Sequence, residues 1–181
     1  MNLSTLSILL GLGMALPQIP GILKPGEFGA KVRKFPRSLP WGYALMAIGT
    51  LGFFCYLKQE SIADFEKYKP AMFAAFGLIA LGVCVFVNDF LAVRGLAITL
   101  LVLAKLMVDT ARWHESAWRL LIVTWAYLFV VAGIWFTVSP WRCRDLLNWA
   151  TASEGRTKLL SAIRLAFGLF VALLGLTVFR S

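Results

Sequence analysis

Four charged side chains share one side of a long apolar stretch near the middle of the chain. The stretch runs from Arg94 to Arg112 and contains Lys105 and Asp109 between its ends. At ~100° per residue, a helix over this stretch would hold all four side chains within about 60° of one another. Charged residues inside membrane helices are rare and often mark ion pairs, pathways or binding sites. This charged seam (Arg94, Lys105, Asp109 and Arg112) is therefore the first candidate for function.

The two arginines of the seam and its inner pair require different explanations. Arg94 and Arg112 are 18 residues apart, or about 27 Å along a helix, so we predict that they are helix-boundary charges at opposite interfaces. Lys105 would lie inside the span, where a lone lysine costs ~2.5–3.5 kcal/mol on insertion scales. Asp109 follows one turn later at i+4, and an intramembrane charge pair with Lys105 would reduce that cost.

Three interpretations of the Lys105–Asp109 pair remain open. The favoured one is structural: the ion pair holds the span against its neighbours. The second is functional, because intramembrane charges often face a cavity and would there line a polar pathway or binding site. In the third, the span is displaced and starts near Phe90 or Leu91, so that the pair lies among the headgroups and Arg94 becomes the buried charge.

The remaining groups that could do chemistry are few. His114 and Glu115 follow the seam and could form a pH-sensitive turn, although structural or solvated roles are commoner. The sequence has no nucleophile elbow, glycine-rich phosphate loop or HExxH motif, so we do not expect an enzyme. The chain has one histidine, which excludes a multi-histidine metal or haem site within it, and we expect no cofactor.

The three cysteines lie far apart in the sequence and form no CxxC motif. Cys55 and Cys84 lie in apolar runs, as small packing residues do. Cys143 lies between Arg142 and Arg144, and two neighbouring guanidinium groups would favour its thiolate.

The composition shows what kind of element must position these residues. The chain is 60% hydrophobic and 15% charged, whereas soluble domains are about 45–50% apolar and about 25% charged. Its apolar runs are long enough to cross ~30 Å of hydrocarbon. We therefore predict an all-α polytopic membrane helix bundle, a single integral membrane domain over residues 1–181. Its six spans are expected at residues 3–23, 41–57, 70–87, 94–112, 118–138 and 159–179.

Shorter elements are expected between the spans. Pro17 and Pro20 predict either a kinked first span or a short helix with an extended apolar tail. Prolines and glycines over residues 24–40 argue against a long helix there. Amphipathic helices on the membrane surface are predicted at residues 61–68, where Ile62, Phe65 and Tyr68 recur every three residues, and at residues 141–150. Five tryptophans are predicted interfacial anchors: Trp41, Trp113, Trp118, Trp141 and Trp149.

The chain has a net charge of +9, and the distribution of its basic residues among the loops indicates how it is oriented. Lysine and arginine are concentrated in loops between spans, which indicates the lipid bilayer and its anionic headgroups, and no nucleic acid, as partners. The loops after the first, third and fifth spans hold ten such residues, against six on the opposite side. Since positive loops stay in the cytoplasm, we predict a multi-pass protein of the bacterial inner membrane with both termini on the periplasmic side.

Glycines recur at seven-residue spacing. Gly42 and Gly49 in the second span match Gly168 and Gly175 in the sixth. A glycine also precedes a breaking or polar residue by seven positions at three span ends, in the pairs Gly13–Pro20, Gly82–Asp89 and Gly133–Pro140. Three repeated two-helix hairpins would explain this pattern, and so would the frequency of glycine in membrane helices.

The C-terminal third also resembles a known family. Over residues 125–179, a glycine-bearing helix is followed by Pro140, the pair Trp141–Arg142, a short amphipathic link, Arg164 and a second helix with Gly168 and Gly175. This arrangement resembles the YjeT-like family of two-helix bacterial inner-membrane proteins, whose function is unknown. The resemblance covers less than a third of the chain, implies no catalytic residue, and favours a small membrane accessory protein.

Two functions follow as hypotheses. The first is a non-catalytic structural or accessory subunit, which packs against other membrane protein subunits or copies of itself through glycine-bearing helices. The alternative is a small oligomeric transporter or channel with Lys105 and Asp109 along its polar path. A lipid-handling enzyme that uses carboxylates is the least favoured reading.

Overall fold

The structure is a computed structural model that describes residues 2–61 and 63–180. These residues form helices and turns with no strand, which confirms the all-α class. The α-helices, in chain order, are α1 (Leu3–Ala15), α2 (Ile19–Leu23), α3 (Pro25–Lys34), α4 (Leu39–Gln59), α5 (Lys69–Phe86), α6 (Leu91–Ala111), α7 (Arg119–Val138), α8 (Pro140–Ala150) and α9 (Glu154–Leu176). Short 3-10 segments lie at Leu16–Gln18, Phe35–Arg37, Ala63–Tyr68 and Val178–Arg180.

Six helical stretches among the described residues are long and apolar enough to cross a membrane. They are Leu3–Leu23, Leu39–Gln59, Glu66–Phe86, Leu91–Ala111, Arg119–Val138 and Glu154–Arg180. A helix bonds all its backbone N–H and C=O groups internally, which is what a segment without water requires. The expected multi-pass membrane architecture is therefore present.

Two of the long helices, α6 and α9, begin three or more residues earlier than the sequence suggested. Helix α6 begins at Leu91, three residues before the expected Arg94, because Phe90 adopts a left-handed backbone (φ 56°) that ends the preceding turn. The Phe90 carbonyl then accepts hydrogen bonds from the N–H groups of Val93 and Arg94. Helix α9 begins at Glu154 because the Ser153 hydroxyl accepts a hydrogen bond from the backbone N–H of Arg156, as an N-cap does.

The proline-containing segments are more helical than expected. The first span is interrupted, with the 3-10 segment Leu16–Gln18 between α1 and α2, so the alternative of an extended tail is wrong. Residues 24–40, where a long helix was not expected, contain the short helix α3 of 10 residues, with Pro25 as its first residue and with Lys31, Arg33 and Lys34 in its last turn. Both placements suit a short helix, since proline is tolerated at the start and cations are favoured at the C-terminus.

Both expected surface segments contain helix. Helix α8 covers the stretch predicted at residues 141–150. The other segment forms the 3-10 helix Ala63–Tyr68, and Ile62, with which its predicted apolar pattern begins, lies outside the described residues. Whether either segment rests on a membrane surface stays a prediction.

The chain divides into two compact units, and neither is a continuous segment. Unit 1 consists of Met1–Lys34, Ala104–Leu128 and Arg144–Ser181, and unit 2 consists of Phe35–Leu103 and Phe129–Cys143. Helices α6, α7 and α8 each contribute residues to both units.

Small residues bring α1 and α9 into close antiparallel contact in unit 1. A methyl group added to Gly168 would come within 2.6 Å of the Gly11 carbonyl oxygen and 2.9 Å of the Ala15 nitrogen. A methyl group on Gly175 would meet the Ser4 carbonyl oxygen at 2.8 Å. Such backbone approach is the usual basis of helix association in lipid, where apolar side chains gain little by leaving the hydrocarbon.

Unit 2 contains a similar but parallel contact between α4 and α6. A methyl group on Gly95 would lie 2.7 Å from the Met46 nitrogen. The single proton of the Thr99 hydroxyl is shared between the carbonyl oxygens of Gly95 at 2.9 Å and Leu45 at 3.2 Å. Gly49 faces Ile98 and Thr99 in the next turn. Seven-residue glycine spacing therefore serves helix packing in both units.

The glycines of the proposed hairpin repeat have unlike surroundings. A methyl group on Gly13 or Gly82 would meet no atom within 4 Å, whereas one on Gly133 would lie 2.8 Å from the Leu101 side chain. The three-hairpin repeat stays a prediction.

Candidate functional site

Lys105 and Asp109 form an ion pair on the C-terminal half of α6. The Lys105 Nζ lies 3.1 Å from the Asp109 Oδ2, the contact that an i,i+4 spacing permits. Both residues belong to unit 1. Their side chains are 42% and 45% exposed. The pair therefore lies at the surface of the chain, a position that the sequence did not reveal.

The position along α6 is as informative as the exposure. The helix ends at Ala111, so Asp109 is the third residue from its end and Lys105 lies one turn deeper. The two residues are separated by about 6 Å along the helix axis. Helix α6 is otherwise apolar through this region, with Met107 and Ala104 fully buried on another face. One exposed charged strip thus interrupts an apolar span.

Arg94 and Arg112 occupy different positions relative to α6. Arg112 is exposed and follows the last helical residue, with its guanidinium carbon 5.0 Å from the Trp113 ring centroid. Arg94 is the fourth residue of α6 and is partly buried in unit 2. The start of α6 at Leu91 therefore agrees with the third interpretation as far as Arg94 is concerned. Arg94 lies within the helix and not at its boundary.

Arg94 lines a cavity of about 330 Å³ within unit 2. Four helices form its walls, and the lining residues are Met46, Thr50 and Phe53 of α4, Phe76, Ile79, Ala80 and Val83 of α5, Arg94 and Ile98 of α6, and Thr137 of α7. Apart from Arg94 and the two threonines, the lining is apolar. The Arg94 Nε is buried without a hydrogen-bond partner. This arginine cavity is the second candidate site.

The turn after α6 fixes His114 through both its ring and its backbone. The His114 Nδ1 accepts a hydrogen bond from the Ser116 N–H at 3.2 Å, and the ring packs edge-on against Phe179 at 5.2 Å between centroids. The Arg119 guanidinium donates to the His114 carbonyl at 2.7 Å, while Glu115 is exposed. These contacts give His114 a structural role, and a pH-sensitive role for the turn stays a prediction.

The same turn borders a more polar cavity of about 510 Å³ in unit 1. Its lining comes from the N-terminal residues, the end of α6 and the C-terminal segment, and includes Ser4, Thr110, His114, Phe179 and Arg180. The neighbouring charged groups and hydroxyls would suit water or headgroups at an interface.

All five predicted tryptophan anchors are exposed: Trp41, Trp113, Trp118, Trp141 and Trp149. The guanidinium carbon of Arg156 lies 5.0 Å from the ring centroid of Trp149, which is a cation–π arrangement. Trp118 also packs edge-on against Phe170. Exposure at helix ends agrees with an interfacial position, and their contact with lipid stays a prediction.

Cys143 does not provide the reactive thiolate that its neighbours suggested. Its side chain is buried in α8, and burial raises its pKa from the ordinary value of 9.0 to about 11. Desolvation disfavours the charged thiolate and here outweighs attraction by the adjacent arginines. Neighbouring Arg144 bonds to Asp145 at 2.9 Å instead. A thiolate at Cys143 was thus the wrong expectation.

Comparison with known proteins adds no assignment. No protein-family model matches the chain, and neither a curated protein nor a solved structure shows significant similarity to it.

Sequence reasoning missed the arginine cavity because four separate helices form it. Thr50, Ala80, Arg94 and Thr137 lie far apart in the chain and form no local motif. The one available signal was the position of Arg94 in an apolar run. Because α6 begins at Leu91, three residues before Arg94, this position lies inside the helix and not at its boundary.

Proposed function

We propose that the protein is a non-catalytic accessory subunit of a membrane complex. In this proposal it docks on another membrane protein through the outward face of α6 that carries Lys105 and Asp109. The observation that supports the proposal is the exposure of this ion pair, 42% and 45%, on an apolar helix of 21 residues. The resemblance of residues 125–179 to small YjeT-like membrane proteins agrees with an accessory role.

The physical argument is one of desolvation. A charged group that faces hydrocarbon carries a penalty of several kcal/mol, which a single internal ion pair offsets in part. A partner helix with polar side chains at the same depth would supply further hydrogen bonds to the Lys105 ammonium and Asp109 carboxylate. The pair would then fix the depth and register of the partner, as isolated polar residues do between packed helices.

A charge swap tests the proposal. Lys105→Asp with Asp109→Lys keeps an internal pair but reverses its direction along α6, so a partner matched to the native order should be lost. Affinity purification from native membranes in mild detergent would measure co-purifying proteins. The matched control is the Arg144→Asp, Asp145→Arg swap on α8, because this ion pair has almost the same exposure, 41% and 47%. We expect loss of a stoichiometric partner in the first swap and retention in the second.

The outcomes of the swap are distinct. A native chain that purifies as a monomer without any stoichiometric partner contradicts the accessory role. A partner that remains after the α6 swap locates the contact elsewhere. If the partner is a second copy of the chain, both copies carry the swapped order and association should survive. A crossed experiment with one native and one swapped copy would then show the loss.

The second candidate is an oligomeric transporter or channel, and the outward position of the pair favours one form of it. A polar route along Lys105 and Asp109 would run between copies of the chain, because both side chains lie on its surface. Lys105→Met with Asp109→Leu should then leave assembly intact and abolish flux through reconstituted vesicles. Unchanged flux in that double variant would exclude this route.

We further propose that the protein lies in the inner membrane of a bacterium with both termini on the periplasmic side. The supporting observation is the excess of lysine and arginine in the segments after α2 and α7: residues 24–38 and 139–153 hold seven, whereas residues 60–68 and 112–118 on the opposite side hold two. An alkaline phosphatase fused after the last residue should be active, whereas a fluorescent protein that matures only in the cytoplasm should be dark. The reverse result would invert the topology.

A further inference from the structure

Arg94 is a cation with unmet hydrogen-bonding capacity. Its Nε is buried, and among residues 2–61 and 63–180 no hydrogen-bond acceptor pairs with that atom. Leu91, Ala92 and Val93 in the same turn are fully buried, so the group emerges from an enclosed part of the helix. A guanidinium in such surroundings favours an anion, because unpaired buried charge is costly.

The space in front of Arg94 is apolar. The cavity of about 330 Å³ has the two hydroxyls of Thr50 and Thr137, and the rest of its lining is aliphatic or aromatic. Phe53 and Phe76 form part of its wall and meet edge-on with centroids 4.9 Å apart. This volume lies at the lower end of ligand sites, roughly 300–1,000 Å³, so it suits one chain of an amphiphile rather than a whole lipid.

From this arrangement we propose that the arginine cavity binds an anionic phospholipid. The phosphate would receive hydrogen bonds from Arg94, whose planar fork suits bidentate binding of oxyanions. One acyl chain would lie against Phe53, Phe76 and Ile79. The Thr50 hydroxyl would donate to an ester or phosphate oxygen, whereas the Thr137 hydroxyl already donates to the Gly133 carbonyl at 2.8 Å and would only line the wall. A soluble phosphate ion would leave the apolar walls without a ligand, which is why the proposal commits to a lipid.

The height of the site agrees with a headgroup. Arg94 lies seven residues from the middle of α6, about 10 Å along the axis, and therefore toward one interface. Arg37, also in unit 2, adds positive charge near the start of α6, where its guanidinium carbon lies 5.8 Å from the Phe90 ring centroid. Positive charge close to a bilayer surface attracts anionic lipids, at roughly 1 kcal/mol per basic residue.

The test uses the full chain in nanodiscs of phosphatidylcholine with a minority of phosphatidylglycerol, and native mass spectrometry counts the lipids that remain bound. Arg94→Gln should reduce retained phosphatidylglycerol about tenfold, the effect of one lost charge-assisted contact. Ala80→Phe fills the cavity and keeps Arg94, so it should reduce retention as well. The controls are Arg164→Gln, which removes a partly buried arginine from α9, and Ala75→Phe, which adds the same bulk on an exposed position of α5. Both should bind like the native chain.

Each outcome decides the proposal. Loss of retention in Arg94→Gln and Ala80→Phe, with both controls unchanged, supports it. Equal retention of phosphatidylcholine and phosphatidylglycerol by the native chain overturns it, and so does loss in Arg94→Gln without loss in Ala80→Phe, because the cavity would then play no part. Displacement of the lipid by inorganic phosphate alone, or by oleate at equal concentration, would overturn it in favour of a free anion or a fatty acid.

A second measurement covers variants that fold poorly. Addition of phosphatidylglycerol to the native chain in detergent should raise its unfolding temperature more than phosphatidylcholine does, since a ligand that binds only the folded state stabilises it. No difference between the two lipids would contradict the proposal without any substitution. The lipid proposal concerns other residues than the α6 charge swap. Lipid binding can therefore be disproved while the accessory role holds, and the accessory role can be disproved while lipid binding holds.

Discussion

The Ser4 hydroxyl donates a hydrogen bond of 2.7 Å to the carbonyl oxygen of Gly175, 171 residues later in the chain. The bond lies at one end of the close contact between α1 and α9, which continues through Gly11 and Gly168. The first and last spans are thus joined by backbone approach and by a side chain that satisfies a helix-end carbonyl. Small residues in the first and last spans therefore allow the close packing of α1 against α9 in unit 1.

Gly168→Ala should destabilise the protein by about 1–3 kcal/mol, the usual effect of overpacking a close contact. The added methyl group would come within 2.6 Å of the Gly11 carbonyl oxygen, and backbone atoms yield little. Gly13→Ala is the matched control, because its methyl group would meet nothing within 4 Å. The control should be neutral or more stable by up to ~1 kcal/mol, since alanine is the better helix former. Thermal unfolding in mild detergent would measure both, and equal stability of the two variants would contradict the packing role of Gly168.

Gly95→Ala makes the corresponding prediction for unit 2. Its methyl group would lie 2.7 Å from the Met46 nitrogen and would separate α4 from α6. The hydrogen bond from the Thr99 hydroxyl to the Leu45 carbonyl, already 3.2 Å long, should be lost as well. We expect a destabilisation of about 2–3 kcal/mol, from overpacking and one hydrogen bond. Gly82→Ala on α5 has open space around it and should behave like the native protein. A Gly95→Ala variant that unfolds at the same temperature as Gly82→Ala would show that the two helices do not depend on this contact.

The sequence predicted the spans well because long apolar runs have few alternatives to membrane helices. The errors came from single residues. The left-handed Phe90 starts α6 at Leu91, and the Ser153 cap starts α9 at Glu154. Asn88 and Asp89 mark a turn, but phenylalanine rarely adopts a positive φ, so the sequence did not mark Phe90 as the residue that ends it.

The candidate sites were less predictable than the fold. The i,i+4 spacing of Lys105 and Asp109 was sufficient to predict their contact, because it depends on one helix alone. Their exposure depends on how α6 is rotated against its neighbours, which spacing does not determine. The arginine cavity depends on four helices, and its threonines and phenylalanines resemble ordinary packing residues until α4, α5, α6 and α7 are placed together.

Cys143 should react slowly with maleimides at neutral pH. Burial raises the pKa of its thiol to about 11, so the protonated form is favoured in the folded protein and the reactive thiolate is scarce below that pH. With Cys55 and Cys84 replaced by serine, the labelling rate of the native fold should keep rising with pH above 9 and level off near 11. Labelling in detergent that unfolds the chain provides the control and should level off near the ordinary thiol value. A rate that levels off below pH 9 in the folded protein would mean that Arg142 and Arg144 stabilise the thiolate after all.

The two charges of α6 should be strongly non-additive when they are removed. Asp109→Asn alone removes the carboxylate that lies 3.1 Å from the Lys105 Nζ, and Lys105→Met alone removes the ammonium from the Asp109 carboxylate. Asp109→Asn should lower the yield of membrane-inserted protein more than Lys105→Met does, because the remaining Lys105 lies about 6 Å from the middle of α6 and Asp109 about 12 Å. Both losses should stay below the ~2.5–3.5 kcal/mol of a charge at a helix centre. The double variant Lys105→Met, Asp109→Asn removes both charges and should insert at least as well as the native chain. The fraction of protein that resists carbonate extraction from membranes measures insertion.

The controls are the corresponding variants of the ion pair on α8: Arg144→Met, Asp145→Asn and the two changes together. This pair is about equally exposed but lies outside the spans. These control variants should all insert normally. Additive losses at Lys105 and Asp109 would place the pair among the headgroups, where each charge is solvated separately.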